Sequence, residues 1–322
     1  MKLQSHHLNE TRQGLHKMVK FKSVADLQKA FPTEQKCIKH LERIIWKGII
    51  ISPFDPTSKV YRCKKRKNWY KCKNTNKYFN VKTGTVFDNT KLPLWIWFWA
   101  LSIFSSHKKG NPSHQLARDV GITQKSAWFL SQRLRRAFDC PSFKTILEGS
   151  VEIDETFIGG SNSNRHWDKK APKTQGRNWK DKIPVWGGIG NGILIAQVVP
   201  NTKKETLEPI IRKYIKEGSS VHTDEWLAYN GLGEWFNHQI VIHKLKQYVN
   251  GKITTNRIEN AWSHLKRLIN TYHWISRKHA QKYVDEFTFR YNTRNYSEQE
   301  RFDLLLFSTI GKKMTYRELI AS

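Results

Sequence analysis

SVEIDETFIGG, residues 150–160, says more about the fold of this 322-residue chain than any other stretch. Its apolar residues extend over the length of a typical β-strand, and Asp154 lies in the middle of the stretch. A carboxylate inside an apolar strand is costly to bury unless something positive pairs with it, and Mg²⁺ has that role in phosphoryl-transfer sites. The stretch therefore predicts a strand that carries a metal-binding acid.

The apolar runs that follow alternate between strand and helix lengths. PVWGGIGNGILIAQVVP (184–200) predicts a hairpin whose turn contains Gly-Asn-Gly, and KETLEPIIRKYIKEG (204–218) predicts an amphipathic helix. SVHTDEW (220–226) and HQIVIHK (238–244) predict strands, and NRIENAWSHLKRLINTYHW (256–274) predicts a long helix. The order strand, hairpin, helix, strand, strand, helix indicates an α/β domain.

Two more acids stand in distinctive settings. Asp224 ends a predicted strand, and Glu259 lies on the long predicted helix. Two strand aspartates and a helix glutamate can hold two metal ions roughly 4 Å apart, which activate the nucleophile and stabilise the leaving oxygen. Lys266 follows Glu259 by seven residues on nearly the same helix face, where its ammonium can contact a phosphate of DNA.

Other side chains near these acids are assigned lesser roles. We expect strand alternation to turn Glu152 and Glu155 away from Asp154, and Glu225 away from Asp224, so we interpret all three as structural. Hydrogen-bonding or packing roles near the site are expected for His222, His243, Asn256 and Asn260. Tryptophans near the acids could stack on an unpaired base; they are Trp179, Trp186, Trp226, Trp235 and Trp262.

The charge of the chain predicts a polyanionic partner. Lysine and arginine total 56 against 27 acidic residues, a formal net charge of +29, and the excess is spread over the whole length. No run of roughly 20 apolar residues and no wide apolar helix face points to a membrane. The first residues also lack the apolar stretch of a signal peptide, so we expect a cytoplasmic, nucleoid-associated protein.

SHQLARDVGITQKSAWFLSQRLRRAF (113–138) has the spacing of a helix-turn-helix. Gly121 allows the turn and Thr123 caps the second helix. That helix would offer polar and basic side chains to a groove and its phosphates, among them Gln124, Lys125, Gln132, Arg133 and Arg136. An ordinary helical hairpin with a solvated basic face is the alternative.

Residues 37–87 contain short aromatic and β-branched runs that predict a small β module. A zinc ribbon needs two Cys-x-x-Cys knuckles, but Thr75 replaces the second cysteine after Cys72, and Ser52 to Asp55 stand where another knuckle is expected. We therefore expect no structural zinc and a module held together by its aromatic residues, which are Tyr61, Trp69, Tyr70, Tyr78 and Phe79.

These patterns divide the chain into five segments. They are a basic N-terminal arm (1–30), a degenerate zinc-ribbon-like module (31–88), a helical DNA-binding region (89–145), a catalytic domain (146–300) and a C-terminal tail (301–322).

VEIDETFIGG, HTDEW and NRIENAWSHLKR resemble, in order, the three catalytic blocks of the ISXO-type insertion-sequence transposases, relatives of the Merlin elements. CIKHLERIIWKG, YFNVKTGTVF and TKLPLWIWFWA also resemble the front of that family. The resemblance implies a ribonuclease H-like catalytic domain, a mixed sheet flanked by helices, with Asp154, Asp224 and Glu259 as its catalytic, metal-binding acids. Members of the wider group vary at the third acid.

The resemblance also implies an activity and its partners. The chain would bind terminal inverted repeats, cleave a phosphodiester with Mg²⁺, for which Mn²⁺ can substitute, and join the freed 3′-hydroxyl to target DNA. Two DNA ends must be brought together, so we expect a homodimer or a larger assembly. The alternatives are a catalytically inactive or domesticated DNA-binding relative, and a nuclease of the same fold that cuts without joining.

Overall fold

The computed structural model describes residues 21, 23–159, 166–170, 182–241 and 254–321. The chain divides into two compact units, one from its start to Phe138 together with the segment from Tyr296 onward, and one from Asp139 to Asn295. Among the described helices, none combines the length and the apolar character that crossing a bilayer requires.

The first unit is mainly helical and contains a small sheet. Its helices are α1 (Val24–Ala30), α2 (Glu34–Trp46), α3 (Leu94–Ser106), α4 (Ser113–Val120), α5 (Gln124–Ala137), α9 (Glu298–Phe307) and α10 (Tyr316–Ala321). Its strands are β1 (Val60–Arg62), β2 (Tyr70–Cys72) and β3 (Tyr78–Phe79).

Helix α3 lies at the centre of this unit. Its residues are apolar on all sides of the helix, which is typical of a helix surrounded by other elements. Helices α1, α2, α4 and α9 all pack against it. The ring of Phe98 in α3 meets Phe31 at 4.9 Å and Phe302 of α9 at 5.8 Å, both edge to face. The residues predicted to be a C-terminal tail thus include most of a packed helix, which begins with a capping box between Ser297 and Glu300.

The predicted β module begins with a helix. Apolar residues recur along 34–46 at helical spacing, Thr33 caps the start, and α2 buries one face. Three short antiparallel strands follow in the order β1-β2-β3. Their inner face buries Tyr70 and Phe79 against Trp46, as predicted, whereas Tyr61 and Tyr78 are exposed and cannot hold the module together.

The second unit is a five-stranded mixed sheet flanked by helices. Its strands are β4 (Ser150–Ile158), β5 (Ile183–Gly190), β6 (Ile193–Val198), β7 (Ser220–Thr223) and β8 (Asn237–Ile240), in the order β6-β5-β4-β7-β8. Strands β4, β5 and β6 are antiparallel neighbours, and β7 and β8 run parallel to β4. The helices are α6 (Lys204–Tyr214), α7 (Asn256–Thr271) and α8 (Ala280–Asn292).

The predicted order of elements in this unit is confirmed. The hairpin from β5 to β6 turns at Asn191 and Gly192, whose φ angles of 52° and 77° are those of a two-residue turn that matches strand twist. Apolar side chains from one face of the sheet pack with α6, and those of the other face pack with α7 and α8. Helix α7 packs against β4, the central strand, and α8 packs against β6.

Candidate active site

Asp154 and Asp224 come level with each other in neighbouring strands. β4 and β7 are parallel, and their last paired residues are Glu152 and His222. The ladder ends at that pair. Its register, continued for two residues along each chain, aligns Asp154 of β4 with Asp224, which directly follows β7. Both aspartates are partly buried. The register thus assigns two of the three predicted acids to the same end of the sheet, where β7 ends.

Tyr229 joins the segment after Asp224 to β4. Its hydroxyl donates a hydrogen bond to the Glu155 carboxylate, and both side chains are buried. Burial raises the pKa of Tyr229 well above its usual value, and the negative charges of Glu155, Asp154 and Asp224 raise it further. The backbone N–H of Trp226 donates a hydrogen bond of 3.0 Å to Asp224 Oδ1. This bond fixes the turn that follows Asp224.

Glu152 anchors the helix that carries the third acid. Its carboxylate accepts hydrogen bonds from the backbone N–H groups of Arg257 at 2.8 Å and Ile258 at 3.1 Å, and from Arg257 Nε at 2.7 Å. These backbone groups belong to the first turn of α7, where an anion satisfies free N–H groups and the helix dipole. Glu152 is fully buried, so this contact fixes where α7 starts relative to β4.

The expected orientation of Glu152 was wrong. Side chains two residues apart on a strand share a face, so Glu152 points to the same face as Asp154, and only Glu155 points to the other. The two glutamates thus flank Asp154 from opposite sides of the sheet. Glu155 contacts the segment after Asp224, and Glu152 contacts the helix of Glu259.

Gly187 lets α7 approach β4 closely. It pairs with Asp154 across β4 and β5, and a Cβ at this position would lie 2.4 Å from Cη2 of Trp262. Trp262 is one helical turn after Glu259 and is buried in the core between the sheet and α7. The indole thus packs on the glycine beside Asp154, which a side chain at that position would prevent.

Glu259 and Lys266 both lie on the exposed face of α7. Glu259 Oε1 accepts a hydrogen bond of 2.8 Å from the hydroxyl of Thr255, a buried residue just before the helix. Carboxylate oxygens are the ligands that Mg²⁺ prefers in proteins. Within the described ranges, no group of three or more His, Cys, Asp or Glu side chains is arranged to hold a metal ion.

The other residues predicted near the acids have varied positions. His222 is buried and level with Glu152 in the sheet, while Asn256 and Asn260 are exposed on α7. Trp186 and Trp262 are buried and cannot stack on a base, whereas Trp226, beside Asp224, is 42% exposed. Arg212 lies over the ring of Trp235 at 4.6 Å. His243 and Trp179 are outside the described residues.

Helices α4 and α5 meet at a turn formed by Gly121, whose φ is 69°, and Thr123 caps α5 as predicted. Gln124, Lys125 and Arg136 are exposed, as contact with DNA requires. The same expectation was wrong for Gln132 and Arg133, which are 1% and 3% exposed.

Arg133 lies in the core for a physical reason. Its guanidinium donates to the backbone oxygen of Asp88 at 2.6 Å and lies over the rings of Trp97 and Phe129. Burial lowers the pKa of Arg133 to about 10. A helix that packs along most of its length must bury some polar positions, and periodicity could not show which ones.

Polar groups surround the thiol of Cys72 in the β module. Burial of the thiol raises its pKa, but hydrogen bonds with the side chains of Ser52, Ser58 and Thr75 and with the backbone of Thr75 together outweigh this and lower the pKa to about 6. Ser52 Oγ accepts the backbone N–H groups of Phe54 at 3.1 Å and Asp55 at 3.4 Å. Cys37 is instead buried on α2, in a part of the module that was expected to be strand.

Sequence reasoning missed two residues that shape the site. Glycines inside the strand-like run WGGIG were a signal for close approach, and Gly187 bears this out. Tyr229 gave no signal, because an aromatic residue five positions after an acid has no pattern of its own. The anchoring role of Glu152 was not predicted, because Glu152 was expected to point to the face opposite Asp154.

Comparisons with known proteins show which sequences this chain is similar to. Residues 146–292 match the sequence profile of a family described as the ISXO2-like transposase domain. A Halobacterium salinarum protein described as an uncharacterized protein in transposable element ISH50 is 29% identical over 279 residues, which are 81% of this chain and 92% of that protein. An uncharacterized transposase-like protein of Haemophilus influenzae is 33% identical over 108 residues, 32% of this chain and 83% of that protein.

Among solved structures, a crystal structure of a pre-cleavage Mos1 transpososome aligns with 92% of this chain and all of that one. Its sequence identity is 11% and its TM-score is 0.18, which is too low to support an argument about the fold.

Proposed function

This chain belongs to the DDE transposases of insertion sequences, and from this premise we propose that it cleaves DNA at the ends of its element and joins them to target DNA. The observation that carries the proposal is the parallel register of β4 and β7, which leads Asp154 and Asp224 to the same end of the sheet, with the helix of Glu259 anchored to β4 through Glu152. A ribonuclease H-like fold is part of the proposal. Along the chain, three antiparallel strands are followed by a helix and two parallel strands. In the sheet these strands lie in the order β6-β5-β4-β7-β8, and this topology supports the fold.

We assign the metal-binding role to Asp154 and Asp224, with Glu259 as the third ligand. Mg²⁺ or Mn²⁺, when bound there, lowers the pKa of the attacking water or hydroxyl and stabilises the leaving oxygen. The exposed Lys266 holds a phosphate of the bound strand. Trp226 presents its ring near Asp224 while its Nε1–H donates to Thr202 O at 3.2 Å, so this indole can stack on a base without leaving its position.

The reaction has two steps. Water attacks the scissile phosphorus and the bond to the 3′-oxygen breaks, which leaves a 3′-hydroxyl and a 5′-phosphate. That hydroxyl then attacks a phosphodiester of target DNA, forms a new bond to phosphorus and releases a target 3′-hydroxyl. Both steps are in-line displacements at phosphorus, so one set of carboxylates serves both.

DNA recognition is assigned to the first unit. Gln124, Lys125 and Arg136 of α5 are exposed at the helix that follows the turn, the position from which a helix-turn-helix reads a groove. We propose that this segment binds the terminal inverted repeats. Two ends must be joined, so the assembly with DNA would be a homodimer or a larger complex.

The test is incubation of purified protein with labelled DNA ends of the element and Mg²⁺ or Mn²⁺. Nicked and joined strands are measured for the wild type and for Asp154→Asn, Asp224→Asn and Glu259→Gln. Glu225→Gln is the matched control, because it removes an exposed carboxylate next to Asp224 that has no assigned role in catalysis.

We expect the wild type and the control to cut and join, and the three variants to bind without doing either. A wild type that binds but never cuts would favour an inactive relative. Cutting without joining would favour a nuclease. Activity in the Glu259 variant would remove only the third assignment.

A further inference from the structure

The outer face of the β1–β3 sheet carries two exposed rings with a cation between them. Lys71 of β2 pairs with Tyr61 of β1 on one side and with Tyr78 of β3 on the other. Directly paired residues point to the same face, so these three side chains form one row across the sheet. We call this row the outer face.

The outer face has no part in the core of its own module. Strand alternation places Tyr70, Cys72 and Phe79 on the opposite face, where all three are buried. The rings of Tyr61 and Tyr78 are 44% and 51% exposed. Each of these large rings therefore exposes apolar surface to solvent. The module does not need the two rings for its core, which lies on the opposite face.

An ammonium group lies close to each of these rings. Lys59 Nζ is 5.6 Å from the centroid of Tyr61, and Lys71 Nζ is 5.7 Å from that of Tyr78. These contacts are solvated and weak, so a flat apolar group could replace the ammonium over a ring while the ammonium pairs with a nearby anion.

The charge around the outer face is strongly one-sided. Residues 55–79 contain seven lysines and two arginines but a single acid, Asp55. Asp55 is itself hydrogen bonded by Thr57 and Asn74, so it does not neutralise the lysines of the row. A ligand that fits this face must carry repeated negative charge and flat apolar groups at the same time.

We propose that the outer face binds single-stranded DNA, with bases stacked on Tyr61 and Tyr78 and phosphates held by the lysines around them. Exposed rings beside a basic track are the arrangement that binds unpaired bases, because every base has a π-face. Stacked base pairs in a duplex hide those faces, so duplex DNA would use the lysines but not the rings. The inference rests on the proposed function only in that DNA is the partner.

The experiment measures binding of the full-length protein to a fluorescent oligothymidine and to a duplex of the same length. The central variant is Tyr61→Leu with Tyr78→Leu, and Tyr61→Phe with Tyr78→Phe keeps the rings. Phe307→Leu is the matched control, because Phe307 is a similarly exposed ring of the same unit on helix α9.

We expect the double leucine variant to bind the single strand about tenfold more weakly or worse, by the usual contribution of base stacking. Its duplex affinity should stay unchanged, as should both affinities of the phenylalanine variant and of the control. Lys71→Gln should reduce the slope of log K against log salt by about 0.7 for the single strand, since one phosphate contact is lost.

Unchanged single-strand binding in the leucine variant would overturn the proposal. An equal loss of single-strand and duplex binding would also overturn it, because the face would then be a general phosphate surface. Neither measurement requires cleavage. A protein that binds single strands through this face but never cuts would remove the proposed function alone, and one that cuts without using this face would remove this inference alone.

Discussion

Replacing Glu152 with glutamine tests whether this buried carboxylate anchors the helix of the third acid. The change keeps the shape of the side chain but replaces one acceptor oxygen with an NH₂ group. That group would face the N–H of Arg257 or Ile258, or Arg257 Nε, all of which are donors. At least one strong hydrogen bond is therefore lost at the start of α7.

The expected cost follows from these contacts. Losing one hydrogen bond to a charged group costs about 1.5–3 kcal/mol, and breaking a buried ion pair costs about 3–5 kcal/mol. The side chain of Arg257 is 44% exposed and regains water, so the second figure is an upper limit. We expect the free energy of unfolding of the second unit to fall by about 2–4 kcal/mol. For a unit of this size, Tm should fall by roughly 5–12 °C.

The assay is calorimetric melting together with DNA cleavage below the Tm of the variant. Glu148→Gln is the matched control, since it also removes one negative charge, but from a pair with Lys216 at 3.3 Å whose side chains are 33% and 65% exposed. Such a pair is worth at most about 1 kcal/mol. If the glutamine variant of Glu152 melts with the control and cleaves as well as the wild type at every Mg²⁺ concentration, the anchoring argument is refuted.

Three further predictions concern other positions. Gly187→Ala places a Cβ 2.4 Å from the indole of Trp262, so we expect a loss of about 1–3 kcal/mol in melting experiments and weakened cleavage; a wild-type Tm would contradict the packing. Tyr229→Phe removes the hydrogen bond to Glu155 and should lower stability by about 1.5–3 kcal/mol, measured by urea unfolding. Burial raises the pKa of Asp303 to about 7 in the folded first unit, so its contribution to stability should fall as pH rises from about 4 to 7 and then level off. Asp303→Asn should flatten that fall in a plot of Tm against pH, and an unchanged plot would show that Asp303 ionises normally.

The order of elements in the second unit could be predicted because each element carries its own periodicity. The hairpin at Asn191 and Gly192 could be predicted too, since few residues adopt positive φ. The predicted tail could not be recognised as part of the first unit. Phe302 packs against Phe98, some two hundred positions earlier, and no local pattern encodes such a contact.

The sequence by itself was enough to predict three catalytic acids and their order, because a carboxylate in an apolar strand or at a strand end is conspicuous in one dimension. It also determined the strong positive charge, which calls for a polyanion whatever the fold. Only the tertiary structure decided that Glu152 anchors α7, that Arg133 is buried while Arg136 is not, and that Tyr61 and Tyr78 share an exposed face with Lys71. The physical reason is that burial and pairing depend on which elements pack together, and the register between distant strands and helices is set by contacts across the whole unit.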